Sequence, residues 1–252
     1  MSITSYQNVM TFSGGVGSYP YYLQVSRGLI PEHKRLLKFG YNGEIQNTEE
    51  TIWDVGGLYV YPSSAVAMTA TSSSGATDSG IEVTIQGVDT NYNELSETVT
   101  LNASGTATTS GSFLRVYRAF VASGTASAGN ITIANGGTTY AYIAVAEQQS
   151  LMSLWTVPAG YTAYLFQIDT TAFTVQNNKV ATIRMLTREF NGVFRTQSKF
   201  DLFEGSYHLD IICPQPIPEK TDIEFRGIAD SSNRSEERRV GKECRSRWSA
   251  EH

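Results

Sequence analysis

Two short runs near residue 80 alternate apolar and polar side chains about a turn, and this period of two restricts the fold more than anything else in the chain. In GIEVTIQGVD, Ile81, Val83 and Ile85 alternate with Glu82, Thr84 and Gln86, and ELSETVTLN repeats the pattern with Leu95, Val99 and Leu101. Successive side chains of a strand point to opposite faces, so each run predicts a strand with one buried and one wet face. The intervening DTNYNE supplies the Asp and Asn that stabilise tight turns, which makes the pair a hairpin. SFLRVYRAFVAS, GNITIANGG and TYAYIAVAE follow, each bounded by Gly, Ser or Asn and with no helical pattern between them. Short strands at this spacing predict an all-β fold of the β-sandwich or jelly-roll kind.

Large apolar residues become denser from QQSLMSLWTVPAGYTAYLFQIDTTA onward, where Val157-Pro158-Ala159-Gly160 marks a turn between two strands. The expected layout is an extended arm and linker over 1–52, a first β-sandwich domain over 53–147, a second over 148–233, and a tail over 234–252. Residues 1–30 are polar, aromatic and glycine-punctuated, as suits an extended arm, with one short helical turn expected after Pro31. The segment Pro214-Gln215-Pro216-Ile217-Pro218 lacks too many amide donors for a central strand and is expected at an edge or in a loop.

Charge narrows the partners. The chain carries a net −5, but six of its basic and four of its acidic residues fall in 234–252. Residues 1–233 retain 13 basic against 20 acidic groups, a net of −7, which argues against a surface that tracks a phosphate backbone. No nucleic-acid partner is therefore expected. Of the two cysteines, Cys213 lies in the body and Cys244 in the tail, so no disulfide within the body is expected. The N-terminus lacks a basic-then-apolar leader pattern, and no stretch approaches the ~18 apolar residues of a membrane helix, so neither processing nor a membrane partner is expected.

Few constellations could carry chemistry. Asp89, Asn91 and Asn93 match the opening of a calcium loop, whose alternating oxygens surround a hard cation. Glu94 and Thr100 then stand where that loop needs glycine and a closing Glu, so an Asx-stabilised turn is the favoured reading. Asp201, Glu204, His208 and Asp210 gather three carboxylates and an imidazole, yet on strands about a Gly-Ser turn they should diverge to different faces. His33, Lys34, Arg35 and Lys38 form a basic cluster that could meet an acidic neighbour subunit or nucleic acid, though a charge run of this size is more often a solvated face. Tyr92, Tyr140 and Tyr142 would suit sugar stacking if exposed and core packing if not. The sequence contains no nucleophile elbow, zinc-protease, P-loop or paired C-x-x-C motif, and no cofactor is expected.

LLKFGYNGEI, EETIWDVGGLYVYP, IQGVDTNYNELSETVTLN, SFLRVYRAFV and LMSLWTVPAGYTAYL, taken in order over roughly residues 28–230, resemble virion structural proteins of marine tailed bacteriophages. The resemblance implies a non-enzymatic component of the particle: a head decoration or fibre, or a neck or tail piece. Such a component would form homo-oligomers and dock on other virion proteins within the virion, after assembly in the bacterial cytoplasm. A receptor- or glycan-binding module is the alternative, and a depolymerase acting through Asp201 and Glu204 a third. Arg234 to Ser249, RSEERRVGKECRSRWS, resemble translated sequencing-adapter read-through, which implies a non-native, disordered tail. On that basis TDIEFRGIADSSN is expected to end the native part as a strand with an unpaired edge, its neighbour lost.

Overall fold

The computed structural model describes residues 21–172, 180–202 and 205–230. It is all-β, as the alternation predicts. The chain divides into two compact units, 1–38 and 39–252. The expected arm carries a short helix in the first unit, α1 (Tyr21–Ser26). Gly28 ends it in the left-handed region, at φ 70°, with its amide bonded back to Val25 O. Only a turn follows Pro31, and residues 33–42 run without regular structure.

The second unit holds every strand among the described residues. In chain order they are β1 (Glu50–Thr51), β2 (Val66–Ser72), β3 (Glu82–Val88), β4 (Glu94–Thr100), β5 (Thr106–Phe113), β6 (Arg115–Val121), β7 (Ile131–Asn135) and β8 (Thr138–Ile143). There follow β9 (Leu154–Thr156), β10 (Ala163–Tyr164), β11 (Gln167–Ala172), β12 (Val180–Arg188), β13 (Arg195–Leu202), β14 (Gly205–Asp210), β15 (Pro216–Ile217) and β16 (Asp222–Asp230). A four-stranded sheet in the order β5-β2-β7-β8 and a three-stranded sheet β4-β3-β6 share one core, built on Met68, Val83, Ile85, Phe113, Ile131, Ile133 and Ile143. Burying each such side chain contributes roughly 1.5–3 kcal/mol. SFLRVYRAF reads as one strand but is two: the chain turns at Leu114 and passes from the four-stranded sheet into the three-stranded one.

Downstream, β1-β16-β12-β13 form a sheet in which β9 also pairs with β16, and two ribbons, β10-β15 and β11-β14, stand beside it. Ile168, Ile183, Met185, Phe200 and Leu202 make a second core, joined by Ile45, Ile52, Leu209, Ile211, Ile223 and Phe225. The change of sheet falls between β8 and β9, around the expected 147/148 boundary, but two features cross it. β1, expected to be linker, pairs with β16, and Met152 and Leu154, expected in the second domain, belong to the first core. The expected unpaired edge at the last strand is also corrected. β16 is interior, with β12 along one side and β9 and β1 along the other, because Thr156 and Glu50 reach it from distant parts of the chain. The proline segment supplies β15, an edge strand of a two-stranded ribbon, as expected. The tail 234–252 lies outside the described residues.

Candidate functional site

Among the described residues, buried charged and aromatic side chains gather where the two sheet systems meet. Position 87 makes the approach possible, because a Cβ there would lie 1.8 Å from Arg115 O and 2.9 Å from the Phe113 ring. Glycine therefore lets β3 and β6 close on each other at the register shift between Gln86 and Gly87. Arg115, the first residue of β6, is buried.

Its guanidinium meets Asp222 of β16 through Nε–H to Oδ1 (2.9 Å) and Nη2–H to Oδ2 (3.2 Å). Nη1 donates to the Pro62 and Leu114 carbonyls. Thr156 Oγ1 donates to Asp222 Oδ1 at 2.6 Å, and Arg188 of β12 donates twice to Oδ2, at 3.0 and 2.6 Å. Burial works to lower the Arg115 pKa, but the bonds to Asp222 outweigh it, so the guanidinium is held charged. Two residues along β16, the buried Glu224 accepts from Thr51 Oγ1, Tyr61 Oη and Arg226, and Arg226 also reaches Glu49. Burial next to these carboxylates pushes the Tyr61 hydroxyl well above its usual pKa, which keeps it a neutral donor.

Cations and rings alternate through this junction. Arg226 lies 4.7 Å from the Phe194 ring, Arg188 4.5 Å from Phe194 and 4.3 Å from Tyr61, and Arg115 5.1 Å from Tyr61 and 5.7 Å from Tyr92. Desolvated cation–π contacts of this kind are worth up to about 2 kcal/mol each. The charges are engaged with one another and with backbone carbonyls, so the junction acts as a rivet between sheets.

The column ends in a cluster of four turns. Tyr92, at φ 66° in the β3–β4 turn, packs edge-on to Phe190 at 5.7 Å, and its carbonyl accepts from Ala159 N–H. Gly160 N–H donates to Glu219 at 2.6 Å, Lys220 N–H to Val157 O at 2.7 Å, and Lys220 Nζ lies 5.5 Å from the Phe190 ring. The turns at 89–93, 158–161, 189–193 and 218–220 are thus tied together from beneath. Outward they present Phe190, 54% exposed, and Val193, 68% exposed.

The residues singled out from sequence distribute differently. Asp89 spends its carboxylate on the turn, accepting from the Asn91 and Asn93 amides and from Asn93 Nδ2. Burial raises its pKa, but these bonds outweigh burial and hold it below the usual carboxylate range. Asp89, Asn91 and Asn93 therefore form an Asx turn and are not arranged as a cation shell; among the described residues no group of three or more His, Cys, Asp and Glu could hold a metal. Tyr92 and Tyr140 are buried in the first core, where they cannot stack on a sugar; Tyr142 is half-buried. The divergence expected of Asp201, His208 and Asp210 holds only in part: His208 and Asp210, two apart on the exposed β14, share a face and pair at 3.2 Å, with Asp169 of β11 at 2.5 Å, while Asp201 on β13 accepts from Thr182 Oγ1. Glu204 lies outside the described residues. Sequence reasoning did not reach Arg115, Arg188, Asp222 and Glu224; the available signal was in β16, where Asp222, Glu224 and Arg226 alternate with the apolar Ile223 and Phe225, and no such pattern marks Arg115 or Arg188.

No family model, curated protein or solved structure matches the chain.

Proposed function

We propose that this protein is a non-enzymatic structural component of a tailed-bacteriophage virion that assembles by docking the turn cluster onto other virion proteins. The observation that carries this reading is the pairing of a riveted β body with an apolar pair, Phe190 and Val193, displayed on turns tied from beneath. Self-assembling shells need surfaces that keep one geometry while unbound, because ordering a loop on docking subtracts from affinity. The acidic balance of residues 1–233 agrees with docking through side-chain surfaces and not through nucleic acid. The family resemblance of residues 28–230 points the same way.

The genes flanking the coding sequence test the proposal. Portal, capsid and tail genes on either side, with the protein present in purified particles, are the expected result; metabolic neighbours would overturn it. A receptor- or glycan-binding tip is the second reading, favoured by the exposed Phe190 ring beside Lys220 on the same turns. Binding on a glycan array that is lost in Phe190→Ala would select it over passive docking.

A further inference from the structure

The sheet that contains β16 does not end at β1. Past the turn at 54–57 the chain runs without turn or bend over 58–62. It lies beside β1: Thr51 N–H donates to Gly57 O at 3.0 Å, and Tyr59 N–H donates to Thr51 Oγ1 at 2.8 Å. Along an extended chain the amides and carbonyls of successive residues point to opposite edges, so Gly57 and Tyr59 face β1 while Leu58 and Val60 face away from it. The Tyr59 and Tyr61 hydroxyls turn inward onto Val116 O and Glu224, whereas Leu58 and Val60 are 47 and 58% exposed. Among the described residues no backbone group of Leu58 or Val60 has a hydrogen-bond partner. The stretch is an open strand edge, of the kind that accepts an added strand.

We infer that this edge receives the N-terminal segment of a second copy of the chain, Ile3–Phe12, as an added strand. The edge lies in a stretch, Val55–Thr77, without a charged side chain, and the first 26 residues carry none either. ITSYQNVMTF, free of glycine and proline and rich in β-branched and aromatic residues, has the composition of a strand, with Tyr6, Met10 and Phe12 on one side at period two. SGGVGSYP follows it and can span up to about 28 Å before Tyr21, where the described chain begins. Charge selects the partner. Residues 1–38 hold four basic groups against one acidic, a net of +3, and residues 39–233 hold 9 against 19, a net of −10. The N-terminal unit of one copy is thus attracted to the body of the next, although the whole chain is acidic. Such a contact joins different surfaces of two copies, so it either closes into a ring or continues from subunit to subunit. The inference concerns this arm and this edge alone and stands apart from the virion reading and the turn cluster.

Hydrogen exchange of the full chain in reducing buffer, read by mass spectrometry over residues 57–61 at about 2 and 200 µM, tests it. Exchange there is expected to slow about tenfold between the two concentrations, while sedimentation velocity shows growth beyond the monomer. A synthetic peptide of residues 1–20, added at about 1 mM to the dilute protein, should reproduce the slowing, a readout that needs no variant to fold. The double variant Tyr6→Asp, Met10→Asp, which changes the arm and leaves the body untouched, should lose both the slowing and the growth. Phe190→Asp, on the turn cluster, should keep them. Exchange unchanged at 200 µM overturns the inference, and so does association that persists in the arm variant. Protection equal at both concentrations also overturns it, since the edge would then be closed within one molecule. A protein encoded among phage genes whose edge stays open would sink the arm exchange and spare the virion assignment.

Discussion

Replacing Asp222 with alanine is the sharpest probe of the rivet. Its carboxylate accepts five hydrogen bonds: two from Arg115, two from Arg188 and one from Thr156. Arg115 and Asp222 are both buried, so the variant strands a guanidinium left with only neutral acceptors, the Pro62 and Leu114 carbonyls and, at 3.5 Å, the Tyr92 hydroxyl. Removing one partner of a buried ion pair costs about 3–5 kcal/mol. For a unit of this size each kcal/mol moves Tm by about 2–4 °C, which gives a drop of roughly 6–20 °C. Arg188 is more exposed than Arg115, and Arg188→Gln leaves the Arg115–Asp222 pair standing, so a smaller loss of about 1–2 kcal/mol is expected. Urea titrations followed by the fluorescence of Trp53 and Trp155, both packed in the first core, measure the two variants on one scale. Raising salt from 0.1 to 1 M should leave the Asp222→Ala loss nearly unchanged, since buried pairs are poorly screened. A loss below about 1 kcal/mol, or one that halves in high salt, would show the junction to be solvated and the reasoning wrong.

Three further outcomes follow from local geometry. Burial, reinforced by Glu147 and opposed by the Leu151 N–H bond, raises the Asp54 pKa from 3.8 to about 6; the folded state then holds this proton more tightly than the unfolded one. Its contribution to stability is complete below pH 3.8 and lost as pH rises through 6, so Asp54→Asn, compared with wild type by thermal melts, should gain about 1 kcal/mol at pH 8 and nothing at pH 3.5. Gly87→Ala forces a Cβ against Arg115 O and should cost about 2 kcal/mol or more by urea titration, while Gly124→Ala, with nothing within 4 Å, should stay within about 0.5 kcal/mol of wild type. His208, held between Asp169 and Asp210, should titrate above 6.5 by NMR and move back toward that value in Asp169→Asn.

What the sequence made legible was decided by period. β3 and β4 carry clean alternation about an Asx turn, and they form the hairpin that the pattern describes. β16 shows where the same logic stops. Ile223 and Phe225 face the second core, and Asp222, Glu224 and Arg226 occupy the opposite face, a pattern that reads as one dry side and one wet side. The charged side is in fact buried, because Arg115 stands 107 residues away in sequence and brings the compensating charge. Alternation records polarity along a strand, and nothing in it distinguishes water from a distant counter-ion. Tyr92 stayed open for a related reason: a tyrosine amid Asp and Asn can stand in water or pack, and only the folded turn, with its positive φ at that residue, puts the ring against Phe190 in the core. Strands of two residues, such as β1, β10 and β15, are too short to show any period, and their existence depends wholly on the partner strand.

The composition of the rivet bears on why charged groups hold these sheets together at all. Packed apolar residues of similar volume would stabilise a buried junction at least as well as Arg115, Asp222 and Arg188 do. Apolar layers tolerate sliding, since each side chain accepts many neighbours, whereas a bidentate arginine on a carboxylate loses its bonds within an ångström of displacement. Arg115 and Arg188 approach Asp222 from different strands, β6 and β12, so one carboxylate fixes β16 against both sheet systems. The same arginines flank Tyr61 and reach Tyr92, and through Tyr92 the constraint extends to Phe190. If the turn cluster docks as proposed, a body that presents Phe190 and Val193 in one orientation gains from that constraint what an oil-like junction would not supply. Loosening the rivet in Arg188→Gln should therefore weaken docking through the turn cluster by more than its small loss of stability accounts for.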